Sequence, residues 1–242
     1  YGKQFISEDD INSVIQILKS DFLTQGDQVP LFEEKVSNFL KVNYSVAVNS
    51  GTSALHIACL ALELGEGDYL WTSPISFVAS ANCGRYCNAK VDFVDIDLET
   101  GLMDVNLLSE KLKKAELSGK LPKIIVCVHL GGTSCDMKAI KKLSEKFGFK
   151  IIEDASHTFG GTYFERKVGD CRYSDICVFS FHPVKIITTA EGGLATTNNN
   201  NLAEKMKLLR THYITKDQSK FELINFSSWS YEQQGLGFNY RM

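Results

Sequence analysis

The middle of this chain alternates short, β-branched apolar runs with amphipathic helical segments, and this alternation restricts the fold more than any other feature. The apolar runs are YSVAVNS, AKVDFVDI, KIIVCVHL and FKIIEDAS, and apolar residues follow helical spacing over about 52–64, 104–116 and 136–147. Strands that are apolar along their whole length need cover on both faces, which the intervening helices supply. The pattern therefore predicts an α/β fold with a largely parallel sheet between helices.

Two further helices are predicted before the first strand. Ser7, followed by three acidic residues, is typical of a capped helix start, and apolar residues from Leu31 to Leu40 mark one face of a second helix. The link LTQGDQ separates the two. The asparagine run 198–201 is interpreted as a surface turn or helix cap, and no repeat or linker divides the chain. We predict one domain over residues 1–242, with an N-terminal helical arm at about 1–26.

Charge and hydropathy exclude several classes of partner. The net charge of −3 gives no basic surface, so we predict binding to neither nucleic acid nor an anionic membrane. No apolar run reaches the length of about 18 residues that crosses a bilayer. The N-terminal sequence YGKQFISEDD lacks the basic and apolar regions of a signal peptide. These features predict a cytoplasmic protein.

The seven cysteines form no CxxC pair. Cys83 and Cys87 would share a helix face, but no second Cys or His pair at zinc spacing accompanies them. Free cysteines are usually buried, so we predict reduced, mostly buried thiols and no metal site, as suits a reducing cytosol.

Ligands of open α/β sheets bind outside the carboxyl ends of the strands, which directs the search for a site. In VNSGTSALHIACLAL, residues 48–62, a strand ends near Asn49 and a helix begins near Thr52. The free N–H groups and positive dipole of such a helix end suit a phosphate, and the hydroxyls of Thr52 and Ser53 add donors. An ordinary helix cap is the alternative interpretation. The Walker phosphate-binding pattern is absent.

Asp154, in IIEDASHTFGG, comes at the end of a predicted strand that has three apolar or aromatic positions, and is therefore expected at the carboxyl end of that strand. A carboxylate there can hold the proton on a pyridinium nitrogen, which makes pyridoxal 5'-phosphate (PLP) an electron sink. The alternative is an Asx turn or a helix cap. His157, three residues on, is more often a hydrogen-bonded structural histidine than a functional one.

Lys185 stands among apolar residues in SFHPVKIITTAEGG, residues 180–193. A strand predicted over about 175–181 places Ser180, His182 and Lys185 at or beyond its end. A lysine in a dry site has a lowered pKa and becomes an amine nucleophile that can form a Schiff base with a carbonyl substrate or PLP. The alternative is a lysine whose stem packs on apolar neighbours while its ammonium reaches water. Together the three sites supply a phosphate-binding turn, a carboxylate for a pyridinium nitrogen and a lysine for a Schiff base, which are the groups that PLP requires.

Five motifs in consistent order carry a family resemblance: NSGTSAL, SPISFVASAN, EDASHTFGG, SFHPVKIITTAEGG and GFNYRM. The chain resembles the nucleotide-sugar aminotransferases of the DegT/DnrJ/EryC1/StrS family from near Tyr1 to Met242. The resemblance implies the fold-type I aspartate aminotransferase architecture, with this chain as the large PLP-binding domain. It also implies a small C-terminal domain beyond GFNYRM that this chain does not include.

The resemblance also implies roles for individual residues. Lys185 would attach the cofactor covalently and Asp154 would pair with its pyridine nitrogen. His157 would contact the phenolic oxygen, and Phe77 would stack on the ring. The implied phosphate ligands are Thr52 and Ser53 with their backbone amides, Ser180, and Asn239 of a neighbouring subunit. A homodimer with shared active sites follows from the last of these.

The implied activity is transfer of the amino group of glutamate to a nucleotide-linked keto-sugar. LTQG, PISFVA and TTAEGG are similar to the altrosamine transaminase branch of pseudaminic acid synthesis, which aminates the C4 ketone of UDP-linked 4-keto-6-deoxy-N-acetylhexosamines. One alternative is the sugar dehydratase branch, in which histidine replaces the cofactor lysine. The presence of Lys185 argues against this alternative. The other is a non-catalytic paralogue that binds PLP or a partner subunit.

Overall fold

The computed structural model describes residues 2–222 and 227–242, so Tyr1 of the predicted arm lies outside the described residues. The helices in these ranges are α1 (Glu8–Leu18), α2 (Gln28–Leu40), α3 (Gly51–Ala61), α4 (Ala79–Tyr86), α5 (Val105–Ser118), α6 (Met137–Phe147) and α7 (Asn200–Arg210). The strands are β1 (Tyr44–Val48), β2 (Tyr69–Thr72), β3 (Lys90–Phe93), β4 (Ile124–Val128), β5 (Lys150–Asp154), β6 (Thr162–Tyr163), β7 (Arg166–Lys167), β8 (Ile176–Ser180), β9 (Gly193–Thr197), β10 (Ile214–Thr215) and β11 (Glu232–Gln233).

The main sheet has the strand order β1-β9-β8-β5-β4-β2-β3. The pairs β2/β3, β2/β4, β4/β5 and β5/β8 are parallel, while β9 pairs antiparallel with β8 and β1. The predicted α/β fold with a largely parallel sheet is confirmed. Two short hairpins, β6/β7 and β10/β11, lie outside this sheet.

Helices cover both faces of the main sheet, as the apolar strands require. One buried cluster joins Ile152 of β5 and Val178 of β8 to α3, α4 and α7. On the other face, Ile151 packs with α5 and α6, and Phe179 packs with α2. Since successive side chains of a strand point to opposite faces, each strand contributes to both cores. The strands at the sheet centre are accordingly almost fully buried.

Local sequence signals explain where several helices begin. Ser7 caps α1 through a capping box with Asp10, as predicted from the acidic residues that follow it. Asn199 caps α7 with its side chain, which confirms the helix-cap interpretation of the asparagine run. The helices predicted over 52–64, 104–116 and 136–147 correspond to α3, α5 and α6, which differ by up to three residues at their ends.

The N-terminal arm is the least buried part of the fold. Helix α1 has no buried residue, and apolar side chains along the arm are exposed. The exposed set is Phe5, Ile6, Ile11, Val14, Ile15, Leu18, Phe22 and Leu23. The seven cysteines, by contrast, are free and buried, as predicted. No helix in the described ranges has the length and apolar character needed to cross a membrane.

Candidate active site

The period of two along the strands brings two predicted site residues to one face of the sheet. Asp154 follows Ile152 by two residues in β5, and Ser180 follows Val178 by two in β8. Both therefore emerge on the face covered by α3 and α4, at the carboxyl ends of neighbouring parallel strands. The expectation that Asp154 ends a strand is confirmed by the bounds of β5.

A small cleft opens at this edge of the sheet. Five of the eight predicted site residues line it, although they come from four separate segments of the chain: Thr52, Phe77, Asp154, His157 and Lys185. Gly51, Leu55, Ser76, Ala79, Val128 and Ser156 complete the lining. The fold thus brings together an amine, a carboxylate, an imidazole, a helix N-terminus and an exposed aromatic ring.

Helix α3 presents its N-terminus to the cleft. Its cap is Ser50, whose Oγ accepts a hydrogen bond from the amide of Ser53 at 3.0 Å. In the part of the chain that the structure describes, the amides of Gly51 and Thr52 have no hydrogen-bond partner. Two unpaired N–H groups at the positive end of a helix dipole form a site suited to an anion.

Asp154 is held by three donated hydrogen bonds. Ser80 Oγ donates to Oδ2 at 2.7 Å, while the amide and hydroxyl of Ser156 donate to Oδ1 at 3.2 and 2.6 Å. The bond from the Ser156 amide closes an Asx turn, as the alternative interpretation of Asp154 predicts. The carboxylate is nearly buried, 5% exposed, and still lines the cleft.

The pKa values of Lys185 and His157 are both lowered in the cleft. Burial lowers the pKa of Lys185, and the opposing charge of Asp154 offsets part of this shift. Burial, followed by the charge of Lys185, also lowers the pKa of His157. The amide of Gly131 faces His157 Nδ1 at 3.3 Å, which makes Nδ1 the acceptor and leaves the proton on Nε2. The cleft thus favours a neutral imidazole and a more easily deprotonated amine.

Three predicted site residues do not line the cleft. Ser53 is buried in the turn, where its hydroxyl donates to Asn49 Oδ1 at 2.6 Å. Ser180 lies beside the cleft, and a β-carbon on Gly51 would come within 3.0 Å of Ser180 Cβ. Asn239 forms a bridge with Thr211, and its carbonyl accepts a bond from Asn49 Nδ2 at 3.4 Å. Its exposed side chain has no hydrogen bond within the described residues.

Sequence reasoning did not identify Ser76, Ser80 and Ser156 as site residues. The first two lie four residues apart in SPISFVASAN, and their hydroxyls are 2.8 Å from each other. That spacing is typical of a shared helical face, although Ser76 precedes α4 in the structure, and it does not indicate that Ser80 contacts Asp154 of β5. Ser156 had a local signal, since it stands two residues after Asp154 in an Asx-turn position.

The arrangement suits a ligand with a phosphate at one end and an aldehyde and a basic ring nitrogen at the other. The amides of Gly51 and Thr52 would take the phosphate, Lys185 the aldehyde and Asp154 the protonated nitrogen. Phe77 lines the cleft with a ring that is 70% exposed, as a stacking surface would be before a ligand binds. No group of three or more metal-ligating side chains occurs among residues 2–222 and 227–242.

A profile of the DegT/DnrJ/EryC1/StrS aminotransferase family matches residues 4–242. This chain belongs to the DegT/DnrJ/EryC1/StrS aminotransferase family. A family relative, the UDP-4-amino-4,6-dideoxy-N-acetyl-β-L-altrosamine transaminase of Campylobacter jejuni, is 38% identical over 242 residues, which are 100% of this chain and 60% of that protein.

Similarity to solved structures confirms the expected fold-type I architecture. PseC of Helicobacter pylori, an aminotransferase of pseudaminic acid biosynthesis, aligns with a TM-score of 0.88 and 34% identity over 100% of this chain and 61% of its own. NtdA of Bacillus subtilis, solved with bound cofactor PMP, aligns with a TM-score of 0.80 and 28% identity over 98% of this chain and 51% of its own. The chain thus spans about 60% of the length of the C. jejuni and H. pylori proteins.

Proposed function

We propose that this chain forms the cofactor-binding part of a PLP-dependent aminotransferase that moves the amino group of glutamate to a nucleotide-linked keto-sugar. The observation that carries the proposal is that Lys185, Asp154 and the N-terminus of α3 line one cleft. Family membership and the PMP bound to B. subtilis NtdA support the choice of cofactor. The proposed site is Lys185 and Asp154 for catalysis, with Thr52, Ser53, Phe77, His157, Ser180 and a partner's Asn239 for cofactor binding.

PLP, when bound, supplies an aldehyde that links covalently to amines and a ring that withdraws electrons from the carbon being deprotonated. The chain must then hold that ring in place, and its side chains must donate and accept the protons that the reaction moves. Burial lowers the pKa of Lys185, so the amine loses its proton more readily, which favours its use as a nucleophile and as a base. Asp154 Oδ2 would hold the proton on the ring nitrogen, and His157 would donate its Nε2 proton to the phenolic oxygen.

The α3 N-terminus fixes the other end of the cofactor. The unpaired amides of Gly51 and Thr52 would donate to phosphate oxygens, and the Thr52 hydroxyl adds a third donor. Ser53 is engaged with Asn49 and contributes through the shape of the turn. Ser180, which lies beside Gly51, would add a donor at the edge of the same anion site.

The finer substrate proposal is the C4 ketone of a UDP-linked 4-keto-6-deoxy-N-acetylhexosamine. Its support is similarity to the C. jejuni altrosamine transaminase and to H. pylori PseC. A sugar dehydratase is disfavoured because the dehydratase branch has histidine in place of the cofactor lysine, whereas this chain has Lys185 in the cleft. A cytoplasmic location is proposed with this substrate, since nucleotide sugars are made there.

A homodimer with shared sites is the proposed assembly. The exposed Asn239 side chain makes no hydrogen bond with a described residue, and only its backbone is paired. This is what we expect of a side chain that contacts another subunit. The exposed apolar side chains of the arm, among them Phe5 and Phe22, provide surface for a second copy to cover. Both features support the assembly without fixing its geometry.

The test is turnover with glutamate and a panel of nucleotide-linked keto-sugars. The protein is incubated with PLP and each sugar, and 2-oxoglutarate and amino-sugar are measured by mass spectrometry. We expect product with the UDP-linked 4-keto-6-deoxy-N-acetylhexosamine, none with Lys185→Ala, and unchanged turnover with the exposed-lysine control Lys142→Ala. Full turnover by Lys185→Ala would refute the proposal.

A further inference from the structure

The Asp154 carboxylate has one unused acceptor position, and the three hydrogen bonds that it accepts show which oxygen carries it. An ionised carboxylate has about four lone-pair sites, two on each oxygen. Ser156 occupies both sites of Oδ1, through its amide at 3.2 Å and its hydroxyl at 2.6 Å. Ser80 occupies one site of Oδ2 at 2.7 Å. Among the described residues, the remaining acceptor site of Asp154 is therefore on Oδ2.

The direction of the hydrogen bonds around Ser80 is also fixed. Its hydroxyl proton is donated to Asp154, so the bond of 2.8 Å with Ser76 must be donated by Ser76 and accepted by Ser80. The relay thus runs from Ser76 to Ser80 to Asp154. Ser80 is 1% exposed, whereas Ser76 is only half-buried and lines the cleft beside Phe77.

We propose that Ser80 is a positioning residue that aims the free lone pair of Asp154 Oδ2 at the ring nitrogen of the cofactor, with Ser76 fixing the Ser80 hydroxyl from the cleft wall. This inference rests on the proposed function, because it concerns the same cofactor. Ser80 does not touch the ligand and acts only through Asp154. The relay also joins Asp154 to the segment that carries Phe77, since Ser76 and Phe77 are adjacent in the chain.

A positioning role for Ser80 can be distinguished from a purely structural one, because only the positioning role affects ligands that have a ring nitrogen. Without the Ser80 donor, only Ser156 at Oδ1 holds the carboxylate. Oδ2 can then recruit water, and its lone pair loses a fixed direction. A ligand with a ring nitrogen would bind less well, whereas an otherwise identical ligand with carbon at that position would bind as before. A general loss of packing would weaken both ligands equally.

The experiment measures the dissociation constants of PLP and 1-deazapyridoxal phosphate, which has carbon in place of the ring nitrogen. Apo-protein is titrated by fluorescence for the wild type, Ser80→Ala and Ser76→Ala. We expect Ser80→Ala to weaken PLP binding about tenfold, equal to about 1.4 kcal/mol, and deaza-analogue binding less than about twofold. Ser76→Ala should act in the same direction with about a threefold loss, because it removes only support for the Ser80 hydroxyl.

The control is Ser144→Ala, which removes another buried hydroxyl bond, to the Phe149 carbonyl at 2.6 Å, on the opposite face of the sheet. It should change neither dissociation constant. Equal weakening of both ligands by Ser80→Ala, or no weakening of either, would overturn the inference while the PLP proposal stands. A wild-type protein that binds neither ligand would overturn both.

Discussion

A β-carbon on Gly193 would overlap the carbonyl group of Ser50. Gly193 begins β9 and pairs with Val48 in β1 and with Ser180 in β8, so the backbone that caps α3 lies directly against it. The second glycine of the EGG motif is thus required by close backbone approach. The turn that forms the anion site depends on this contact.

Gly193→Ala should therefore lower both stability and PLP affinity. The added methyl group forces apart two backbone segments, at an expected cost of about 2 kcal/mol or more in the free energy of unfolding. Urea unfolding followed by circular dichroism measures this change. Gly65→Ala is the control, because a β-carbon there has no atom within 4 Å, and it should change stability by less than about 0.5 kcal/mol. Equal stability of the two variants would contradict the predicted overlap.

Glu33→Ala should destabilise the junction of α2, β1 and α7. Glu33 Oε1 accepts bonds from the Ala47 amide at 2.7 Å and from Arg210 Nη1 at 2.5 Å. The substitution leaves the Ala47 N–H without its acceptor and removes the carboxylate that pairs with the largely buried guanidinium, whose Nη1 keeps only the Ala47 carbonyl at 2.7 Å. We expect a loss of about 3 kcal/mol in unfolding free energy.

The neighbouring exposed residue offers a control for this prediction. Glu34→Ala removes a carboxylate of the same charge one position along α2 and should alter the unfolding free energy by less than about 0.5 kcal/mol. Urea denaturation measures both variants. A loss for Glu33→Ala no larger than that for Glu34→Ala would show that the buried ion pair does not stabilise the junction.

His157 should make the folded state less stable at acid pH. Burial and the charge of Lys185 lower its pKa below the ordinary value of 6.5, so the unfolded chain binds the proton more readily than the folded chain. The penalty is absent well above pH 6.5 and grows as the pH falls from that value through the folded-state pKa. His157→Gln, which does not titrate, should gain stability relative to the wild type in this range.

Unfolding free energies at about pH 8 and pH 5 test the His157 prediction. The quantity to compare is the difference between variant and wild type at each pH, because the other histidines contribute equally to both proteins. A difference that favours the variant more at the lower pH is expected. A difference that is constant, or that favours the wild type at low pH, would contradict the lowered pKa.

Asp154→Asn should separate cofactor attachment from catalysis. The asparagine amide cannot stabilise a positive ring nitrogen as a carboxylate does, so transamination should fall at least about a hundredfold. Lys185 is unchanged, so absorbance from the covalently held cofactor should remain. Exposed Asp9→Asn is the matched control and should retain wild-type turnover. Full activity of Asp154→Asn would remove the carboxylate from the proposed mechanism.

The sequence predicts the parts of the site whose signals are local. Apolar residues before Asp154 predict its position at a strand end, and a glycine after a strand predicts a helix start near Thr52. Ser80 could not be assigned in this way, since it lies 74 residues from Asp154 and meets it only because α4 covers the face on which β5 presents its acid. Ser53 points into the turn and not into the cleft because the helix cap is Ser50. Apolar periodicity does not locate a helix start to within one residue, so this orientation does not follow from the sequence.

Reduction of the PLP-loaded protein with borohydride, followed by peptide mass spectrometry, tests the central claim most directly. The claim is that the Lys185 amine holds the cofactor in the cleft shared with Asp154 and the α3 N-terminus. It predicts a reduced pyridoxyl group on Lys185 in the wild type and no such group in Lys185→Ala. A pyridoxyl group found on another lysine, or none on Lys185 at saturating PLP, would contradict it.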